Sequence, residues 1–168
     1  KTPLLHNKCY LVFVLSIAMT TAAAIFTDGI TDHIGINTVK YISYMVYFIT
    51  HVMCTPTALL YVMSLRRELG DFDTKERIML FAPFIFIEIL VFTNPLTNLI
   101  FSVKDMVYTR EKGMIFIYII AFYYMICIVA YILVHRKHYS RSVIVAITAL
   151  VGIMVAAAAV QFFFPLQK

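Results

Sequence analysis

The chain has 168 residues, of which 62% are hydrophobic and 14% are charged, and its formal net charge is +5. A soluble domain contains about 45–50% apolar and about 25% charged residues, and a disordered chain is poor in apolar residues. The composition therefore excludes both classes and predicts an integral membrane protein. In a membrane protein the positive charge indicates a bias in which loops face the cytoplasm and an attraction to anionic lipids, and no nucleic-acid partner is expected.

Five segments of the chain approach the roughly 20 apolar residues that an α-helix needs to cross a bilayer. Small residues recur at four-residue spacing in the first of them, at Ser16, Thr20 and Ala24, and this spacing lets a neighbouring helix approach closely. The predicted fold is an all-α bundle of five transmembrane spans that forms a single domain over residues 1–168. The spans are predicted at 9–27, 41–65, 78–101, 114–134 and 143–164.

Lysine and arginine are divided unevenly between the two sides of this predicted bundle. Nine lie on the side of the N-terminus, namely Lys1, Lys8, Arg66, Arg67, Lys75, Arg77, Arg136, Lys137 and Arg141. Five lie on the other side, namely Lys40, Lys104, Arg110, Lys112 and Lys168. Because cytoplasmic loops carry the excess of these residues, the chain is predicted to begin inside the cell and to end outside.

Two of the connections carry local structural signals. On the inner side, the segment 69–74 breaks a helix at Gly70 and offers an N-cap for the next helix. On the outer side, β-favouring residues flank the pair Lys104-Asp105 between Phe101 and Arg110. This pattern predicts a small hairpin over the outer mouth of the bundle, with an irregular loop as the alternative.

Two ionisable residues are predicted to lie near the middle of the membrane. Glu88 is ten residues into the third span and His51 is ten residues into the second, so each lies roughly 15 Å deep. An ionisable group at that depth is costly and by default indicates a functional role. If the two spans are antiparallel neighbours, Glu88 and His51 are able to pair. The alternative is that each is a structural group hydrogen-bonded between helices.

Other polar side chains concentrate in the outer half of the predicted bundle. Tyr44, Tyr47 and His51 follow one face of the second span, while Asn94 and Asn98 lie near the outer end of the third. For single tyrosines, an interfacial belt is the alternative. A few convergent polar groups in an apolar cleft are typical of a small-molecule site. The predicted ligand-binding residues are Tyr47, His51, Glu88, Asn94, Asn98 and Gln161.

The sequence carries no sign of catalysis within this chain. It lacks the nucleophile, zinc-hydrolase and phosphate-loop motifs that accompany common enzyme chemistry. The three cysteines, Cys9, Cys54 and Cys127, lie far apart in apolar stretches and are interpreted as core residues rather than as disulfides or metal ligands. No catalytic residue, metal or cofactor is therefore expected.

Three segments resemble a known class of bacterial membrane proteins. They are Tyr41–Tyr61, the Asn94-Pro95 segment Phe92–Phe101, and the Tyr-x-Arg-x-x-Gly pattern of Val107–Gly113. They are similar to the seven-transmembrane N-terminal sensor regions of histidine kinases and of GGDEF (diguanylate cyclase) proteins. The resemblance implies a bacterial plasma membrane, one further helix on each side of this chain, a homodimeric parent protein and a cytoplasmic output domain outside these residues.

The resulting hypothesis is a sensory domain that binds an extracellular or membrane-derived small molecule and controls a cytoplasmic output domain, with diguanylate cyclase as the expected activity of the parent protein. Two alternatives remain open. One is a transporter or channel fragment in which Glu88 and His51 relay protons or cations. The other is a purely structural membrane anchor.

Overall fold

The computed structural model describes residues 5–66 and 72–163, with side chains for all of these except residues 5, 6, 32, 154 and 157–163. Helices dominate this part of the chain. The elements in order are α1 Leu5–Ile25, a π-helical turn Phe26–Ile30, α2 Thr31–Ile34, α3 Asn37–Ser64, α4 Thr74–Phe92, α5 Asn94–Thr97, β1 Phe101–Lys104, β2 Val107–Arg110, α6 Met114–His135, a 3-10 turn Arg136–His138 and α7 Arg141–Phe163.

Three of the helical stretches are long and apolar enough to cross a membrane by length and composition, at Asn7–Ile30, Asn37–Ser64 and Met114–His138. A shorter apolar stretch of α7 covers Arg141–Ile153. The structure therefore agrees with the predicted class, an all-α membrane protein. Apolar side chains are exposed along these helices, as expected of surfaces that face lipid.

The central element is α3, which packs against α1, α4, α6 and β1, while α7 packs on α6. Its contact with α1 is the most extensive and contains polar contacts between small side chains. The Ser16 and Thr57 hydroxyls are 3.1 Å apart, and the Thr20 hydroxyl is 3.3 Å from the Cys54 Sγ. The close approach predicted from the small residues of the first span is therefore confirmed for Ser16 and Thr20.

The third predicted span, 78–101, is wrong in its outer part, because α4 ends at Phe92. Thr93 caps α4, and the short helix α5 that follows is capped by Asn98 in a left-handed conformation. Pro95 has no N–H with which to continue the hydrogen bonds of α4, but it is well tolerated in the first turn of a new helix, so α4 stops here and α5 begins. The apolar content of residues 78–101 does not by itself reveal that the helix ends within them.

The predicted outer hairpin is confirmed. β1 and β2 pair antiparallel, with Phe101 opposite Arg110 and Lys104 opposite Val107. The two turn residues, Asp105 and Met106, both have positive φ, at 49° and 64°, as in the type I′ turns that match the twist of a hairpin. The turn is therefore centred one residue later than the pair Lys104-Asp105.

The predicted helix cap on the inner side is also present. The Asp73 carboxylate accepts the backbone N–H of Glu76 at 2.7 Å, and the Glu76 carboxylate accepts the backbone N–H of Asp73 at 3.1 Å. This reciprocal pair is a capping box, and it fixes where α4 begins. Gly70, where the preceding helix was predicted to break, lies outside the described residues.

Candidate functional site

A cavity of about 220 Å³ lies inside the bundle, where five helices meet. The surrounding helices, α1, α3, α4, α6 and α7, each contribute at least one side chain, and most of these are apolar. Because its lining side chains come from five helices, the shape of the cavity depends on how these helices pack. The lining residues are Phe13, Ile17, His51, Val52, Cys54, Thr55, Ile87, Ile117, Tyr118, Ile120, Ala121, Met125 and Leu150.

His51 places an imidazole ring on the wall of this cavity. Its ring stacks on that of Tyr47, one turn earlier on α3, with 5.4 Å between ring centroids and 21° between planes. Tyr47 in turn meets Phe48 edge to face at 5.2 Å. These contacts hold the imidazole in position, but Tyr47 itself is not among the residues that line the cavity.

Tyr118 connects the cavity to the outer hairpin. It lies on the first turns of α6 and lines the cavity, and its hydroxyl accepts a hydrogen bond from Nη1 of Arg110 on β2 at 3.2 Å. The same strand places Tyr108 against Tyr44 of α3, with ring centroids 4.3 Å apart. Burial raises the pKa of the Tyr108 phenol above its usual range, although nearby Arg110 opposes the shift. The hairpin therefore contacts α3 through stacked aromatic rings and α6 through the bond from Arg110 to Tyr118.

The hairpin turn is fastened to the start of α3. The Asn37 side-chain oxygen accepts the Met106 backbone N–H at 2.6 Å, and Lys40 Nζ donates to the Met106 carbonyl at 2.8 Å. Both bonds reach the residue whose positive φ is unfavourable for a side chain of this size. They hold the hairpin turn against the start of α3.

Asn94 has a structural position instead of facing the cavity. It is fully buried, and its amide nitrogen donates to the Tyr41 hydroxyl at 2.8 Å and to the Phe101 carbonyl at 2.9 Å. Its side-chain oxygen accepts the N–H groups of Ile100 at 2.8 Å and Phe101 at 3.4 Å. All the hydrogen-bonding capacity of the amide is thus used within the chain.

Two other predicted ligand contacts are also apart from the cavity wall. Asn98 is exposed at the end of α5, where its left-handed φ of 47° closes the turn. Gln161 lies in α7, but its side chain is outside the described part of the structure. Among the described residues, His51 is thus the one predicted site residue that lines the cavity, and Tyr47 stacks on its ring.

Glu88 is shielded from solvent but does not form the predicted pair with His51. Both carboxyl oxygens are buried and have no hydrogen-bond partner among the described residues. Its neighbour Ile87, not Glu88, lines the cavity. The pairing was inferred from equal depth in the membrane, and depth does not determine in which direction each side chain leaves its helix.

Thr55, Cys54 and Tyr118 line the cavity but were not predicted as site residues. Thr55 is four residues after His51, so the two share one face of α3, and this spacing is visible in the sequence. Cys54 differs, since its Sγ lies near the hydroxyl of Thr20 and donates weakly to the Thr50 carbonyl at 3.6 Å. The three cysteines are free, and the described residues hold no group of three or more potential metal ligands.

Comparison of the chain with protein-family models, with curated proteins and with solved structures finds no match in any of the three. The two most distinctive segments of the sensor resemblance have structural roles here. Asn94 forms hydrogen bonds with the backbone of the turn that follows α4, and Gly113 packs closely against Leu99.

Proposed function

We propose that this chain is a membrane-embedded sensory domain that binds a small molecule between its helices. The observation that carries the proposal is the cavity of about 220 Å³, which is lined by side chains from five helices. A ligand seated there touches every long helix of the described chain. It therefore favours whichever helix packing fits it best, which is a population shift set by differential affinity.

In this proposal the five long helices are five spans, with the N-terminus of the chain in the cytoplasm of a bacterial cell. The hairpin then faces outward, and the basic turn Arg136–His138 faces inward. The proposed output domain is a cytoplasmic diguanylate cyclase or kinase in a homodimeric parent protein. This part of the proposal follows from the resemblance of the Phe92–Phe101 and Val107–Gly113 segments. Change in the packing of α7 is the proposed signal.

The topology is tested by cysteine labelling of intact cells in a variant that lacks Cys9, Cys54 and Cys127. Leu96→Cys is placed at an 89% exposed position beyond the outer end of α4, and Lys137→Cys at an exposed position between α6 and α7. An impermeant maleimide should label only the first, and both after permeabilisation. Labelling of Lys137→Cys alone in intact cells contradicts the orientation.

The sensory mechanism is tested by filling the cavity. Ala121→Leu places extra side-chain atoms in it, whereas Ala130→Leu changes an exposed position on the same helix and serves as the control. Spin labels at Leu11 on α1 and Val145 on α7, which are 56% and 62% exposed, report the distance between the two helices. We expect the distance distribution to change in Ala121→Leu only. Identical distributions in both variants contradict the proposal.

A second candidate function, proton or cation transport, is favoured by one observation, the buried and unpartnered Glu88 carboxyl group. Reconstituted vesicles with a pH-sensitive dye inside separate the two functions. The sensory proposal predicts no proton flux above that of empty vesicles. Flux that Glu88→Gln abolishes would establish transport and overturn the sensory proposal.

A further inference from the structure

Two polar side chains on the cavity wall are available to form hydrogen bonds with a ligand. His51 and Thr55 lie one turn apart on the same face of α3, and neither has a hydrogen-bond partner among the described residues. Cys54 between them is already engaged with Thr20 and Thr50, and the Tyr118 hydroxyl with Arg110. Among mostly apolar side chains, polar groups without a hydrogen-bond partner are costly unless something bonds to them. They point to a ligand with a single polar end.

The charge of the wall limits that polar end to a neutral group. Among the described residues, none that lines the cavity is an aspartate, glutamate, lysine or arginine. A charged ligand would leave water without a countercharge on the cavity wall, and burying an unpaired ion is far more costly than burying a hydrogen-bonded hydroxyl or N–H. Arg110 donates to the lining residue Tyr118 but is not itself among the lining residues.

The size and the side chains of the cavity favour a ring. A cavity of about 150 Å³ in another protein is known to hold benzene, so about 220 Å³ accommodates an aromatic ring with a few further heavy atoms. Phe13 and Met125 lie on the wall, and aromatic and thioether groups both make favourable contacts with an aromatic ring. Larger drug-sized molecules need about 300 Å³ or more.

We infer that the cavity binds a small neutral aromatic molecule with one hydroxyl or N–H group, whose polar end bonds to His51 and Thr55 and whose ring packs among Phe13, Ile87 and Met125. This inference rests on the proposed function and specifies its ligand. The neutral imidazole offers one donor and one acceptor nitrogen, and the Thr55 hydroxyl offers both roles. A phenol or an indole therefore matches the wall in size and in polarity.

The test uses the full chain in detergent micelles and measures dissociation constants by ligand-observed NMR, with empty micelles as the blank. The probes are 4-ethylphenol, ethylbenzene and 4-ethylbenzoate, which share a ring and differ in one substituent. We expect 4-ethylphenol to bind about tenfold more tightly than ethylbenzene, and 4-ethylbenzoate to bind most weakly. His51→Phe should remove the preference for the phenol while ethylbenzene still binds.

Variants separate the ligand class from the site. Thr55→Val keeps the shape of the side chain and should weaken only 4-ethylphenol, by several-fold, which tests the inference even if His51→Phe does not fold. Ala121→Leu should abolish binding of both neutral probes, whereas Ala130→Leu should bind as the wild type does.

The remaining outcomes each contradict either the ligand class or the cavity as the binding site. Equal binding of ethylbenzene and 4-ethylphenol, tightest binding of 4-ethylbenzoate, or no binding of any probe overturns the ligand class and leaves the sensory proposal to the spin-label experiment. Unchanged binding in Ala121→Leu overturns the cavity as the site, and the proposed function with it.

Discussion

Asn94 joins three parts of the chain through the two ends of its side-chain amide. It links α3 through Tyr41 and holds the backbone of Ile100 and Phe101, where the chain enters β1. A buried backbone group that loses its partner costs about 1–3 kcal/mol. Asn94 therefore fixes the position from which the hairpin begins.

Asn94→Ala should lower the free energy of unfolding by about 3 kcal/mol or more, because it leaves the N–H of Ile100 and both backbone groups of Phe101 without these partners. Thermal unfolding in a mild detergent measures the loss. Asn98→Gly is the control, since glycine adopts the left-handed conformation of that exposed residue readily. Unchanged stability with weakened probe binding would instead make Asn94 a ligand contact.

Gly113 is required by close packing. A Cβ atom at this position would lie 2.6 Å from both the carbonyl oxygen and Cγ of Leu99, and the Gly113 N–H donates to that same oxygen at 2.8 Å. The end of the hairpin segment and the turn after α5 therefore meet backbone to backbone. This contact explains the last residue of the Tyr-x-Arg-x-x-Gly pattern.

Gly113→Ala should destabilise the protein by about 1–3 kcal/mol, since the added methyl group forces the backbone apart. Gly152 is the matched control, because a Cβ there meets no atom within 4 Å. Gly152→Ala removes a glycine from the helix α7 and should stabilise by about 0.5–1 kcal/mol. Unfolding midpoints of the two variants that shift in the same direction would contradict this account.

At the scale of the elements, α4 depends on α6 to tolerate Pro83. Proline has no N–H, so the Met79 carbonyl one turn earlier lacks its helical partner. The Tyr123 hydroxyl donates to this carbonyl at 3.2 Å, and the neighbouring Tyr124 hydroxyl donates to the Leu80 carbonyl at 2.6 Å. Neighbouring helices commonly satisfy backbone groups freed by proline inside a membrane.

A double-mutant cycle tests this dependence. Tyr123→Phe should cost about 1 kcal/mol of stability in the wild type. In the Pro83→Ala background the new N–H bonds to the Met79 carbonyl, so the same change should cost close to nothing, which gives a coupling of about 1 kcal/mol. Equal costs in the two backgrounds would show that Tyr123 does not compensate for the proline.

At the scale of the whole molecule, Tyr139 links the turn between α6 and α7 to the C-terminal end of α3. This residue follows the turn after α6, and its hydroxyl donates to the Val62 carbonyl near the end of α3 at 3.1 Å. Burial raises the pKa of Tyr139 to about 12 from a usual value of 10, with Tyr131 adding to the shift and Arg66 opposing it. The protonated hydroxyl therefore connects the α6–α7 turn to the central helix.

The direction of this shift predicts an alkaline loss of stability. Because the folded state holds the proton more tightly, the contribution of Tyr139 is fully present below pH 10 and is lost as the pH rises towards about 12. The stability difference between the wild type and Tyr139→Phe should therefore shrink across this window. It should be constant from about pH 6 to 9, where the phenol is protonated in both states. A constant difference up to pH 12 in detergent unfolding would contradict the assignment.

The sequence by itself determined the helical elements and much of their local chemistry. Apolar runs located the long helices to within a few residues at most of their ends, since lipid-facing and core-facing surfaces are both apolar. The hairpin at Phe101–Arg110 followed from β-favouring residues around a turn. These features depend on neighbours along the chain, which a sequence displays directly.

Only the tertiary structure decided which side chains meet. Counting residues gave the depth of His51 and Glu88, but each residue turns about 100° around its helix, so equal depth leaves the direction of a side chain open. Packing turned His51 and Thr55 towards the cavity and left the Glu88 carboxyl group buried elsewhere. The role of Asn94 likewise required its partners Tyr41 and Phe101, which the fold brings together from separate segments.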